Sequence, residues 1–143
     1  MTVTNERTRS ILVQIVAQNR LIRSGLRLLV ESGPGMIVVG EAPSVKDACA
    51  AEGSSFADVI VVDLENESTA SLLELHSARS DSRLIVLLGS HGAERPVLMP
   101  DCASGIVYTQ FAEQSLVPTI HAVYHHGGFG APSSASRPII TPT

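Results

Sequence analysis

Asp63 closes the run Ala57-Asp58-Val59-Ile60-Val61-Val62-Asp63, and a carboxylate ending an apolar segment is the first group in this chain placed to do chemistry. Four consecutive branched aliphatics bounded by polar residues predict a strand buried on both faces, as at the centre of a parallel sheet. Ligands and reacting groups gather at the carboxyl edge of such sheets, which makes Asp63 a site candidate. The competing role is structural, an aspartate that caps the turn after the strand. Glu65 and Glu67 follow within four residues. They could add oxygen ligands for a cation, although loop glutamates are more often simply solvated.

Other reactive residues form weaker patterns. His121 and His125 are four apart with His126 adjacent, a spacing that can chelate zinc on a helix. Histidines near a helix C-terminus also complement its dipole, and that reading is preferred. Cys49 and Cys102 are the two thiols; without CxxC spacing they suggest neither a disulfide framework nor a zinc site, but reduced, semi-buried thiols. No Ser/His/Asp set can be assembled from spacing, and neither GxGxxG nor a P-loop occurs. Gly33-Pro34-Gly35 reads as a turn and not as a phosphate cradle.

Bulk composition narrows the function classes. The 143 residues suit one domain with a real core, and 44% hydrophobic content agrees. Aromatics are 3% and Trp is absent, so no aromatic platform exists for stacking single-stranded nucleic acid. A formal charge of -4 argues against DNA binding by this segment itself. No apolar run approaches the roughly eighteen residues of a membrane span, and Met1–Ser10 lacks the apolar core of a signal peptide. A soluble, cytoplasmic protein is expected.

The elements that must position Asp63 follow in order. Residues 1–10 read as a flexible tail. Ile11–Val16 is a first strand, Asn19 caps a helix running to about Ser32, and Ser32-Gly33-Pro34-Gly35 stops it. Met36–Gly40 is a second strand, Val45–Ala51 a short helix, and Gly53-Ser54-Ser55 a break. After the Asp63 strand come a helix over Thr69–Ala78 and a strand over Leu84–Leu88. Pro96 and Pro100 make the next helix short or irregular. A fifth strand over Gly105–Tyr108 precedes a last helix from about Gln114 to His125, with Pro118 tolerated if that helix starts near Ser115. Residues 127–143 have linker composition. The alternation predicts an α/β domain over 11–126, a (βα)5 doubly wound, five-stranded parallel sheet.

Three stretches carry a resemblance: Leu21-Ile22-Arg23-Ser24-Gly25-Leu26-Arg27-Leu28-Leu29, Val38-Val39-Gly40-Glu41-Ala42 and Cys102-Ala103-Ser104-Gly105-Ile106-Val107. With the Asp63 strand they make residues 11–126 resemble the CheY-like receiver domain of response regulators, closest to receivers that precede a LuxR-type helix-turn-helix. Ile140-Thr141-Pro142 resembles the opening of that helix-turn-helix, which implies a truncated regulator or a stand-alone relic. The resemblance implies that Asp63 is the phosphoacceptor and that Mg²⁺ would screen the anionic phosphoryl donor. The acidic pair expected after strand one is Ala17 and Gln18 here. The hydroxyl expected at the end of strand four is Leu88, with Ser90 as a displaced substitute, and the lysine expected after strand five is Thr109. Gln18 could hydrogen-bond Asp63 as a neutral neighbour.

The function expected is therefore that of a degenerate receiver: not an enzyme, with no metal and no cofactor. It would work through a protein partner, either a histidine kinase or a second copy, docked through the last helix and strands four and five. DNA would be bound only if a helix-turn-helix domain follows. The alternative is a working two-component regulator phosphorylated at Asp63 with Mg²⁺. A third possibility is a small neutral or anionic ligand at the carboxyl edge.

Overall fold

The branched aliphatic runs over 11–16, 59–63 and 83–88 become strands buried on both faces, whereas the run over 36–42 is buried on one. The computed structural model describes residues 10–50, 57–65, 67–89 and 103–126. Five strands, β1 (Ile11–Val16), β2 (Met36–Ala42), β3 (Val59–Asp63), β4 (Arg83–Leu88) and β5 (Ala103–Tyr108), form one sheet in the order β2-β1-β3-β4-β5. All neighbours pair in parallel. The helices are α1 (Arg20–Ser32), α2 (Val45–Ala50), α3 (Thr69–Ala78) and α4 (Ala112–His126). The α/β architecture is the one the sequence predicts.

Alternate residues of each strand serve opposite layers. Val13, Ile15, Val59, Val61, Ile85, Leu87 and Val107 pack with Leu26 and Val30 of α1 and with Leu116, Ile120 and Val123 of α4. Val16, Ile60, Val62, Leu84 and Val86 pack with Val45 and Ala48 of α2 and with Leu72 and Leu75 of α3. Every residue of β3 is buried, which places Asp63 at the rim of the sheet's central strand.

The caps are those of the sequence. Asn19 accepts from the backbone N–H groups of Leu21 and Ile22 at 2.8 and 3.0 Å. Gly35, with φ of 74°, makes the turn into β2 that a side chain would strain.

Two details correct the expectation. The last helix starts at Ala112, directly after a 3₁₀ turn over Thr109–Phe111, and not near Ser115. Pro118 therefore lies inside the helix, beyond its first turn. It is tolerated because it faces solvent, where the carbonyl it leaves unpaired can meet water. Leu73, which helical spacing groups with the buried Leu72 and Leu75, is 51% exposed. The helix expected around Pro96 and Pro100 falls outside the described residues, as do residues 1–9, the Gly53-Ser54-Ser55 break and the 127–143 linker.

Gln14 is a feature the strand pattern concealed. It sits mid-β1 with no exposed surface, opposite Gly40 and Ile60, and both polar atoms of its amide lack a hydrogen-bond partner among the described residues. Burying an unpaired amide costs on the order of 1–3 kcal/mol. Gln14→Met, close to it in shape, is expected to raise unfolding free energy by about that amount in a denaturant titration. A loss of stability would mean that the amide is engaged in the fold.

Candidate functional site

The site is built where β3 ends. Asp63 is 8% exposed, and its Oδ1 accepts from the backbone N–H of Glu65 at 3.2 Å. This is the turn-capping geometry open to an aspartate at a strand end. The chain then folds back, with Leu64 N–H donating to Leu87 O and Glu67 N–H to Leu64 O. Ser68 caps α3 by accepting from Ser71 N–H. Asp63, Glu65 and Glu67 share a cleft of about 330 Å³ with Gln18 and Asn19 of the β1–α1 connection. Gln18 thus lies on the same cleft as Asp63.

Burial pushes the Asp63 carboxyl above its ordinary value, and the negative charges of Glu65 and Glu67 push it further. The Glu65 N–H bond opposes this shift. With three carboxylates in its lining, the cleft is acidic and ill suited to an anionic ligand.

Glu67 departs from the reading of a solvated loop residue. It is half-buried, and its Oε2 accepts from Val45 N–H at 3.0 Å, at the start of α2. At the other end of α2, Arg79 Nη2 donates to Ala48 O at 3.0 Å. A short helix is marginal by itself; here an anion holds its N-terminus and a cation its C-terminus, each complementing the dipole. No sequence signal links Glu67 to Val45, 22 residues away.

The positions matched to the receiver's helpers separate into two groups. Ala17 is buried and presents only a methyl group. The carbonyls of Ala17 and Gln18 accept from Arg23 Nη1 at 2.7 and 3.4 Å. Leu88 and Thr109 meet each other, where Thr109 Oγ1 donates to Leu88 O at 2.9 Å. That hydroxyl joins the ends of β4 and β5. Ser90 lies outside the described residues.

Mg²⁺ takes octahedral oxygen coordination at about 2.0–2.1 Å, with carboxylates among its ligands. Ala17 has no ligand atom, and Glu67 is bonded to α2. Among the described residues, no group of three or more His, Cys, Asp or Glu side chains is placed to hold a metal ion.

The histidines have structural work. His121 Nε2 lies 3.1 Å from Pro34 O, joining α4 to the turn after α1, and its ring stacks on His125 with centroids 5.8 Å apart. His125 and His126 are exposed in the last turn of α4, where their dipole role applies. Burial pushes the thiol of half-buried Cys49 above its ordinary value. Cys102 is outside the described residues.

Comparison with known proteins fits this geometry. The response regulator UvrY of Escherichia coli K12 is 29% identical over 116 residues, covering 78% of this chain and 53% of UvrY. A LuxR family DNA-binding response regulator from Silicibacter pomeroyi is 26% identical, with a TM-score of 0.65 over 80% of this chain and 91% of that one. The chain is homologous to response-regulator receiver domains. The isolated receiver of RcsB from Salmonella enterica serovar Typhimurium, solved with phosphomimetic BeF3-, superimposes with a TM-score of 0.68 at 20% identity, covering 90% of this receiver and 98% of that chain. No family model matches the sequence. The chain spans about half the length of the curated relatives it matches. No helix among its described residues is long and apolar enough to cross a membrane.

Two outcomes test the electrostatics. A raised carboxyl value means that the folded receiver holds the Asp63 proton more tightly than the unfolded chain does. Asp63 therefore favours folding at acid pH, and that contribution is lost as pH rises through its raised value. Asp63→Asn keeps the acceptor for Glu65 N–H and is expected to raise Tm at pH 7, with the gain shrinking towards the acid range. A lower Tm at pH 7 would show that something holds the carboxylate charged. Glu67→Ala is expected to cost about 1 kcal/mol in denaturant unfolding by freeing the α2 N-terminus; no loss would mean that Glu67 is not a cap.

Proposed function

We propose that this chain is a signalling receiver that acts by protein contact, without conventional Mg²⁺-dependent phosphorylation of Asp63. The observation that carries the reading is the set of groups around that carboxylate. Ala17 and Gln18 stand at the β1 end, and Glu65 and Glu67 are the charges acting on Asp63. An anionic phosphoryl donor would meet unscreened repulsion. Thr109, bonded to Leu88 O, supplies no cation for the transferred group.

A protein partner suits such a domain better than a small substrate, and we assign the output to contact with a histidine kinase or a second copy in the cytoplasm. On the expected side, the last helix and strands four and five, Phe111 is 49% exposed and Tyr108 is half-buried. RcsB has been solved in a complex with DNA. For this protein, DNA contact is proposed only through a further helix-turn-helix domain.

The second reading is a working response regulator phosphorylated at Asp63. In its favour are the place of Asp63 at the end of the central strand and the relatives' description as response regulators. Intact-protein mass spectrometry after incubation with acetyl phosphate and Mg²⁺ separates the two. We expect no stoichiometric phosphoryl adduct. An adduct present in the native chain and lost in Asp63→Asn would replace our reading with the second.

A further inference from the structure

The cleft beside Asp63 carries charge of one sign. Its lining is Asp63, Glu65 and Glu67 with the amides of Gln18 and Asn19, and the charges acting on Asp63 are those of the two glutamates. Basic side chains on neighbouring elements are engaged elsewhere. Arg23 donates to the carbonyls of Ala17 and Gln18 and pairs with Glu41 at 3.5 Å, Arg27 pairs with Glu31 and Glu41, and Arg79 donates to Ala48 O.

An acidic rim open to water would need no counterpart, but Asp63 is not at the rim. It is 8% exposed, so more than nine-tenths buried, and while its Oδ1 accepts from Glu65 N–H its Oδ2 has no hydrogen-bond partner among the described residues. A buried carboxylate oxygen without a donor is costly, and this one belongs to a side chain that lines the cleft. Glu67 repeats the asymmetry: Oε2 is held by Val45 N–H, and Oε1 has no partner among the described residues. Glu65 is exposed. The open acceptors thus run from a buried acid through a half-buried one to an exposed one, a graded set from floor to rim.

The donor that fits them is a guanidinium. Mg²⁺ sheds water reluctantly and demands near-ideal octahedral geometry. An ammonium is a compact, strongly hydrated point charge. A guanidinium is planar and weakly hydrated, and its fork of N–H donors can bond several carboxylate oxygens at once. At about 330 Å³ the cleft is at the small end for a ligand pocket, room for one long side chain.

We propose that the cleft is a socket for an arginine side chain of the protein partner, its guanidinium bonding Asp63 Oδ2 and the carboxylates of Glu65 and Glu67. The inference rests on the protein-contact reading and deepens it by naming the chemistry that the partner presents. One ion pair in an open cleft is weak alone, so the arginine selects the partner and the contacts around it add the remaining affinity.

The probe is Nα-acetyl-arginine amide, titrated at neutral pH and low salt into the ¹⁵N-labelled 143-residue chain. We expect a saturable shift at the Asp63 and Glu65 amides with a Kd of about 1–10 mM, weakened severalfold in ~0.5 M salt. Nα-acetyl-citrulline amide, which keeps the shape and lacks the charge, should give none. Asp63→Asn and Glu65→Gln, with folding checked by circular-dichroism melts, should each raise Kd at least about threefold. No saturable shift up to about 50 mM, an equal response to the citrulline compound, or indifference to both substitutions would overturn the proposal. Agmatine offers the guanidinium as a free small molecule. Binding more than about tenfold tighter than that of the arginine amide would assign the cleft to such a molecule and overturn the partner's arginine. A phosphoryl adduct from acetyl phosphate would remove the reading on which the socket rests, whereas a silent titration without an adduct removes the socket alone.

Discussion

A carboxylate at the rim of a fully buried strand, with negative charge on its neighbours, is the constraint on which the rest depends. Burial of β3 on both faces fixes where Asp63 sits. The same burial makes its ionised form costly, and Glu65 and Glu67 add to that cost. The surrounding structure answers with hydrogen bonds rather than cations. Glu65 N–H bonds Asp63, Val45 N–H takes up Glu67, and Arg23 is spent on the carbonyls of Ala17 and Gln18.

Several of these side chains hold the scaffold around the sheet edge together. Thr109 joins the ends of β4 and β5, and Glu67 with Arg79 clamps α2 at both ends. Thr109, Glu67 and Arg79 thus each have a local structural role.

Much of this was legible in the sequence because buried parallel strands need continuous apolar runs and short helices need caps. Asn19 and the end of α3 at Ala78 fell where the pattern put them. The start of the last helix was misplaced because Pro118 argued for a first-turn position, whereas a proline facing solvent is tolerated further along. Glu67 looked like a loop glutamate, since its partner lies 22 residues away and local spacing cannot report it. Gln14 was hidden among aliphatics, and no periodicity tells a satisfied buried amide from an orphan. Helical spacing alone does not separate the buried Leu26 from Leu21 and Leu28, which are exposed on the other face of α1. The position of Asp63 was readable, but its electrostatic surroundings required the fold.

The most direct test of the central claim is a Mg²⁺ titration of the ¹⁵N-labelled chain, following the backbone amide resonances of Gln18, Asp63 and Glu65 at neutral pH. With a methyl group at Ala17 and Glu67 bonded to α2, millimolar Mg²⁺ should leave these resonances without a saturable shift. A saturable shift centred on Asp63, and abolished in Asp63→Asn, would contradict the account.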